Sequence, residues 1–381
     1  MPLRYLDHAA TGPVRPEVVA AMAPYLTERF GNPSSHHTVG ERASAALEDA
    51  RARVAAVAGV RRGDVVFTSG GTEADNLAVK GLALGAMLRR GARHVVTSAI
   101  EHEAVLASSD HLARLHGFDV TVLPVDAAGL VDPAQLAAAL RDDTAVASIG
   151  YANNEIGTVQ DVSDLAAVCR AHGVPFHTDA VQAAGWLPLS GTGADALSIA
   201  GHKVGAPQGT GALIVRGRLP LEPVLHGGGQ ERGRRSGTQD VAGAVALATA
   251  LELAETERAE DAAAVAAVRD AFVARVLQQV PGARLTGHPT RRLAGSASFT
   301  FAGTSGEAIL LELERRGVVT SSGSACAAGS DEPSHVLLAL GIAPEVAQTA
   351  VRFTFPHGLR EALDDVAAQV AASVLAVQSS R

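Results

Sequence analysis

Cysteine is nearly absent from this chain: Cys169 and Cys326 are the only two among 381 residues, too few for a disulfide-built scaffold. A long basic tract is missing as well. The net charge is -8, and the one cluster, Arg232-Gly233-Arg234-Arg235, is too small to imply direct sequence-specific nucleic-acid binding. No uninterrupted apolar run has the length and flanks of a membrane span, and no signal peptide is evident, so a cytoplasmic location is expected. The 14 histidines are dispersed, and His36-His37 has no companion pair at ligand spacing, so no metal is expected. Charged residues make up 19% and hydrophobic ones 47%, which excludes a disordered chain despite 39 glycines and 17 prolines. Internal repeats and low-complexity linkers are also missing.

What remains is a chain that switches between short apolar runs and alanine-rich helical stretches. Residues 65–68, 94–98, 120–125, 145–151, 175–179, 196–199 and 211–215 read as strands. Several are apolar without alternation, as strands are when helices cover both sheet faces. Residues 73–89, 103–115, 133–140 and 165–172 fill the gaps as helices, giving an α/β fold with a seven-stranded, mostly parallel sheet. Beyond Thr238 the pattern changes to a long, perhaps broken, helical region over 241–279. Strands follow near 284–285, 297–301 and 318–321, with helices near 307–315 and 361–377. A large domain over 15–255 and a smaller α+β domain built from 1–14 and 256–381 are expected, with Tyr5-Leu6-Asp7 as an extended arm.

Three segments carry the chemistry. Ser69-Gly70-Gly71-Thr72 follows a strand and opens a helix, where backbone N–H groups can hold a phosphate. It lacks the P-loop lysine and the dinucleotide fingerprint, and an ordinary strand-to-helix turn would use the same glycines. Asp179 ends a strand, where open sheets place ligands, although it could equally cap the segment that follows. Lys203 lies just beyond the 196–199 strand and could reach the same crevice or simply face solvent. Together they suit pyridoxal phosphate: an amine for its aldehyde, a carboxylate for its ring nitrogen and an anion nest for its phosphate. His102 could stack on the ring or move protons. Arg352, in an apolar run, needs either a substrate carboxylate or an internal acid. Cys169 sits in an alanine-rich helix and reads as packing. Cys326, in Ser321-Ser322-Gly323-Ser324-Ala325-Cys326-Ala327-Ala328-Gly329-Ser330, reads as a thiol on a small, mobile segment.

Ordered motifs along nearly the whole chain resemble those of the cysteine desulfurases, in the class V aminotransferase family of the aspartate aminotransferase fold type (fold type I). They include Phe30-Gly31-Asn32-Pro33-Ser34-Ser35, Thr68-Ser69-Gly70-Gly71-Thr72-Glu73, Glu101-His102 and Asn153-Asn154-Glu155-Ile156-Gly157. His177-Thr178-Asp179-Ala180, Gly201-His202-Lys203, Arg235-Ser236-Gly237-Thr238, the stretch ending at Cys326, and Arg352-Phe353 continue the series. The cysteine stretch is similar to that of the long-loop subgroup.

The resemblance implies that Lys203 is the Schiff-base lysine, Asp179 the partner of the pyridine nitrogen, and Gln182 the neighbour of the phenolic oxygen. It implies His102 over the ring, with Gly71, Thr72 and His202 at the phosphate, joined by Thr238 of a second subunit in a homodimer. Asn32, Asn154 and Arg352 would grip the α-carboxylate of L-cysteine. Cys326 would accept the sulfur as a persulfide and pass it to an acceptor protein: an iron–sulfur cluster scaffold, a tRNA-thiolation enzyme or DNA phosphorothioation machinery. The competing readings are a selenocysteine lyase or cysteine β-lyase on the same constellation, and a non-catalytic sulfur-carrier scaffold. Four positions depart from the pattern: Ala200 in place of a serine, Gln208, Pro356-His357-Gly358, and Glu103.

Overall fold

In this computed structural model, which describes residues 3–217, 219–323 and 332–379, the chain enters through strand β1 (Arg4–Tyr5). Two helices follow, α1 (Pro16–Leu26) and α2 (Thr38–Ala58). The central sheet is then laid down by β2 (Val65–Thr68), β3 (His94–Ser98), β4 (Asp119–Leu123) and β5 (Thr144–Ser148). It is completed by β6 (Phe176–Asp179), β7 (Ala196–Ala200) and β8 (Gly211–Val215). Helices α3 (Gly71–Arg90), α4 (Glu103–His116), α5 (Pro133–Ala139) and α6 (Val162–Ala171) occupy the crossovers. The strand order is β2-β8-β7-β6-β5-β3-β4, and β8 alone runs antiparallel to its neighbours. Strands β3, β5, β7 and β8 are buried at every position, the pattern expected when helices cover both faces.

Helix α7 (Val241–Gln279) is continuous, without the break that the sequence allowed. Asp240 starts it, its carboxylate accepting the Gly243 N–H at 2.8 Å. Its 39 residues span about 58 Å at 1.5 Å per residue, long enough to serve two cores in turn. Ala244 to Ala254 pack with the β6 and β7 core, whereas Val265, Phe272 and Val276 pack with a second apolar cluster. Around that second cluster lie β9 (Ala283–Leu285), β10 (Ser296–Phe301), α8 (Gly306–Arg315), β11 (Val318–Val319), β12 (Val351–Thr354) and α11 (Asp364–Ser379), whereas α9 (His335–Ala339) and α10 (Pro344–Ala347) pack with Ile100 and Ile156 in a smaller cluster. Strands β12, β10 and β9 form an antiparallel sheet, and β1 pairs in parallel with β11, so the N-terminal arm docks on this second unit.

The connection over 226–238 is bolted to the large sheet. Glu231 and Arg232 adopt left-handed backbone conformations (φ 50° and 59°), each costing on the order of 1–3 kcal/mol for a non-glycine residue. A buried bidentate pair offsets this: Arg51 donates to the two Glu231 carboxylate oxygens at 2.6 and 2.7 Å, and the Phe67 N–H donates to Glu231 at 3.0 Å. Arg235 then reaches Glu73, in the first turn of α3, at 2.7 Å.

Candidate active site

The carboxyl ends of β2, β3, β5, β6 and β7 open on one cavity of about 670 Å³, a size that suits a small molecule. The turn after β2 supplies Gly71 and Thr72, and the turn after β3 supplies Glu101 and His102. Asn154 follows β5, Asp179 ends β6, and Lys203 follows β7.

At one end, α3 begins at Gly70 with no side-chain cap, so its first amides point their N–H groups into the cavity mouth. The approach is close enough to require glycine: a Cβ on Gly71 would stand 2.6 Å from the Val181 side chain. The Nδ1 of His202 lies 3.2 Å from the Thr11 hydroxyl, and burial together with the Lys203 charge pushes this imidazole down to about 4. It is neutral at neutral pH, an imidazole N–H rather than a cation. Ala200 is buried beside Gly71 and contributes only a methyl, so the hydroxyl contact expected of a serine is absent there.

Lys203 sits in the tight turn Gly201–Lys203, where its ammonium donates to the carbonyl oxygens of Ala9 and, at 2.7 Å, Ala10. Gln182 donates to the same Ala9 carbonyl at 3.1 Å. The N-terminal segment thus positions both side chains. His102 caps α4, its Nδ1 accepting the Ala104 N–H at 3.0 Å, which leaves the hydrogen of a neutral ring on Nε2.

Asp179 both caps and faces the cavity: its Oδ1 accepts the Val181 N–H at 2.8 Å. Burial raises its proton affinity, while the Val181 amide, His102 and Lys203 oppose the rise. Two acids that the sequence reading gave no role stand beside it. Asp75 is 1% exposed, and burial, with the nearby Asp179 charge, raises its proton affinity. Glu101 accepts from the Ser98 hydroxyl and, at 2.8 Å, from the Gly150 N–H. A carboxylate on the buried face of α3, between Ala74 and Leu77 and one turn after the glycines, was the signal for Asp75.

Burial pushes Glu101 up to about 8; Ser98 and Gly150 restrain the rise, and the nearby Asp179 charge adds to it. An acid whose folded pKa is raised holds a proton that the unfolded chain has lost. It therefore costs the cofactor-free protein stability as pH climbs from about 4.5 towards 8, with no further loss above that. Glu101→Gln keeps an acceptor for Gly150 and an amide for Ser98. Denaturant melts of the cofactor-free variant should show a shallower decline between pH 5 and 8, and a gain on the order of a few kcal/mol at pH 8. Parallel wild-type and variant curves would contradict the assignment.

Arg352, on β12 and 1% exposed, is already paired: it donates to Asp7 at 2.6 Å and to the carbonyls of Asn154 and Gly323 at 2.9 and 3.1 Å. The internal acid that the sequence left open is therefore Asp7, while the Arg352 Nε has no partner among the described residues. Asn32 and Thr238 are exposed and do not line the cavity of their own chain; Asn32 closes a local turn, accepting the Ser34 N–H at 2.9 Å. Cys326 lies outside the described residues. Cys169 is buried in α6, its thiol pushed up to about 12 by burial, which makes it a packing residue and not a nucleophile.

A second cavity, of about 490 Å³, shares Ala9, Asn154, Gln182 and Lys203 with the first. Arg15 pairs there with Glu257 at 2.7 Å and Arg360 with Asp261 at 2.7 Å, and Gly71, Thr72 and Asp179 are not among its lining residues. The chemistry therefore belongs to the first. His357 stacks on Trp186 at 3.8 Å in this second cavity, and Gln208 donates to the Thr11 hydroxyl at 3.3 Å, so neither departure removes a group from the Asp179 cavity. Glu103 lines the Asp179 cavity and lies 3.6 Å from His335.

These residues fit pyridoxal phosphate. Uncapped amides stand at one end for a dianion, and an amine lies on the wall. At the other end Asp179, with Asp75 and Glu101 lining the same cavity, offers a carboxylate suited to a cationic ring nitrogen.

The model of the aminotransferase class-V family matches residues 4–362. The chain is 44% identical over 352 residues to the cysteine desulfurase IscS of Dictyoglomus turgidum, covering 92% of this chain and 89% of the relative. It is 44% identical over 377 residues to an IscS-like cysteine desulfurase of Mycobacterium tuberculosis, covering 97% and 95%. A solved NifS-like protein superposes with a TM-score of 0.89 at 32% identity, covering 100% of both chains.

Proposed function

The chain belongs to the class-V aminotransferase family, and on that premise we propose that it is a pyridoxal-phosphate-dependent cysteine desulfurase acting through Lys203, Asp179 and Cys326. The observation that carries this reading is the convergence of Lys203, Asp179 and the uncapped Gly71–Thr72 turn on a single cavity. When bound, the cofactor supplies an electron sink for a substrate carbon. Asp179 keeps its ring nitrogen protonated by charge pairing, the α3 amides with His202 hold its phosphate, and Gln182 lies by its phenolic oxygen. Lys203 would hold its aldehyde carbon and is the amine available to move protons at the substrate Cα. His102, fixed by the Ala104 amide, stacks on the ring and shuttles a proton to or from a thiol.

In the net reaction the Cβ–S bond of L-cysteine breaks and an S–S bond to Cys326 forms. L-alanine leaves with the hydrogen given up by the Cys326 thiol, and the sulfur becomes a persulfide. It then passes to an acceptor protein of the iron–sulfur scaffold, tRNA-thiolation or phosphorothioation kind. The substrate carboxylate is placed at Arg352 with Asn154, where it shares or displaces Asp7. Asn32 and Thr238, exposed and away from their own cavity, suit a homodimer in which they complete the second site. Distinct apolar clusters at the two ends of α7 favour the division into 15–255 and 1–14 with 256–381, with a smaller cluster of Ile100, Ile156, Val336, Leu337 and Ala347 where the two units meet. Among the described residues no helix is long and apolar enough to cross a membrane, which agrees with the cytoplasmic placement proposed here.

Cys326→Ser tests the thiol. The variant should bind the cofactor and L-cysteine with wild-type colour changes but carry no radiosulfur after incubation with labelled L-cysteine. Wild-type labelling of the variant on another residue would overturn the role of Cys326.

A further inference from the structure

Arg352 is the only arginine among the described residues that line the Asp179 cavity, and it meets the cavity already paired. It is 1% exposed, with Nη1 donating to the Asn154 and Gly323 carbonyls and Nη2 to the Asp7 Oδ1 at 2.6 Å. Of its three nitrogens, Nε alone has no partner among the described residues. Asp7 is not a lining residue; its carboxylate reaches the guanidinium from outside that lining.

The arm that carries Asp7 is fixed on both sides. Thr354, two residues beyond Arg352 on β12, donates its N–H to the Leu6 carbonyl at 2.8 Å, and its hydroxyl accepts the Ala9 N–H at 2.8 Å. The Tyr5 hydroxyl donates to the Asp7 carbonyl at 3.0 Å. With its backbone held this way, the Asp7 carboxylate stays near Arg352 whether or not the cavity is filled. A buried guanidinium without a counter-ion is costly, so the empty site needs this acid. A substrate carboxylate that takes the free Nε must then share one cation with an anion that does not leave, and two carboxylates so close repel. Lys203 is the only lysine of the cavity and is held at the Ala9 and Ala10 carbonyls, so no second fixed cation offsets that repulsion among the described residues. We propose that Asp7 is a positioning residue acting through Arg352. It satisfies the guanidinium in the empty site, remains beside it when an α-amino acid binds, and so holds carboxylate binding weak enough for L-alanine to depart.

The inference deepens the desulfurase reading and rests on it. Titration of the holoenzyme with L-alanine, followed by the shift in cofactor absorbance, tests it; ethylamine, which is L-alanine without the carboxylate, is the control. Asp7→Asn keeps an acceptor for Nη2 and removes the charge. It should bind L-alanine roughly tenfold more tightly than wild type, and ethylamine equally well. Asp7→Ser, smaller and also uncharged, should shift the same way, and circular dichroism checks that both variants are folded. Weaker L-alanine binding in the variants would make Asp7 a clamp on Arg352, and unchanged binding would make it a bystander. A parallel gain for ethylamine would place the effect away from the carboxylate. Each of these would overturn the proposal. A wild type whose absorbance responds to neither L-alanine nor L-cysteine would overturn the desulfurase reading itself, and the inference with it.

Discussion

Lys203→Ala should lower L-alanine formation from L-cysteine by at least about ten-thousandfold, the largest effect expected of any single substitution in this chain. The chain has only two lysines, Lys80 and Lys203, and Lys80 is not among the residues lining the cavity. No second amine can take over. The loss should also be chemical and not structural. Lys203 lies in a short turn whose backbone is fixed independently, with the Val204 and Ala206 N–H groups both donating to the Gly201 carbonyl. What the substitution removes from the fold is two donations to the Ala9 and Ala10 carbonyls, which water can replace at the cavity wall. The same chemistry gives a direct readout: borohydride reduction of the wild-type holoenzyme should fix cofactor to the Lys203 peptide, and in Lys203→Ala to no peptide. Label on Lys80 would contradict the assignment.

Asp179→Asn should lower turnover by about a thousandfold while leaving the cofactor-free protein as stable as wild type or more so. The amide oxygen of asparagine can still accept the Val181 N–H, so the turn after β6 is kept. What is lost is the charge that holds a ring nitrogen protonated. What is gained is relief from placing an acid beside Asp75 and Glu101, since burial raises the proton affinity of all three and the Asp179 charge raises that of the other two. The two effects have opposite signs, and thermal melts alongside initial rates distinguish them. A variant that lost activity and stability together would make Asp179 a structural residue and not the ring's partner.

The residues gathered at the cavity were legible in the sequence for a topological reason. Ser69–Thr72, His102, Asp179 and Lys203 each follow an apolar run, and in an open parallel sheet the ends of such runs gather at one edge. Strands such as β7 and β8 stood out because burial on both faces selects short, mostly apolar runs; β4, at the sheet edge, ends at Leu123, short of the run through 125 read from its apolar residues, and β5 ends at Ser148, short of 151. Helices α1 and α2 were not assigned. Pro16 and Pro24 lie within α1, which buries only Val18, and the stripe that α2 buries (Ala43, Leu47, Ala50, Val54 and Ala58) is mostly alanine in a chain rich in that residue. The continuity of α7 was also obscured, because its first half is buried nearly all round against one core while its second half buries only a stripe against another.

Asp7, Asp75 and Glu101 went unassigned a role for another reason. The pairing of Arg352 with Asp7 joins residues 345 positions apart, and the acid cluster joins α3, the turn after β3 and the end of β6. Proximity of that kind is a property of the folded sheet, and no local pattern announces it. Asn32 and Thr238, by contrast, were named through resemblance alone, and a single chain leaves both outside the cavity.

The central claim is that this cavity removes sulfur from L-cysteine and returns alanine. The most direct test is to incubate purified holoenzyme with L-cysteine and a thiol reductant, and to quantify every carbon and sulfur product. One L-alanine for each sulfide released, with no pyruvate or ammonia, is the predicted result; pyruvate and ammonia matching the sulfide, or no turnover of L-cysteine at all, would contradict the account.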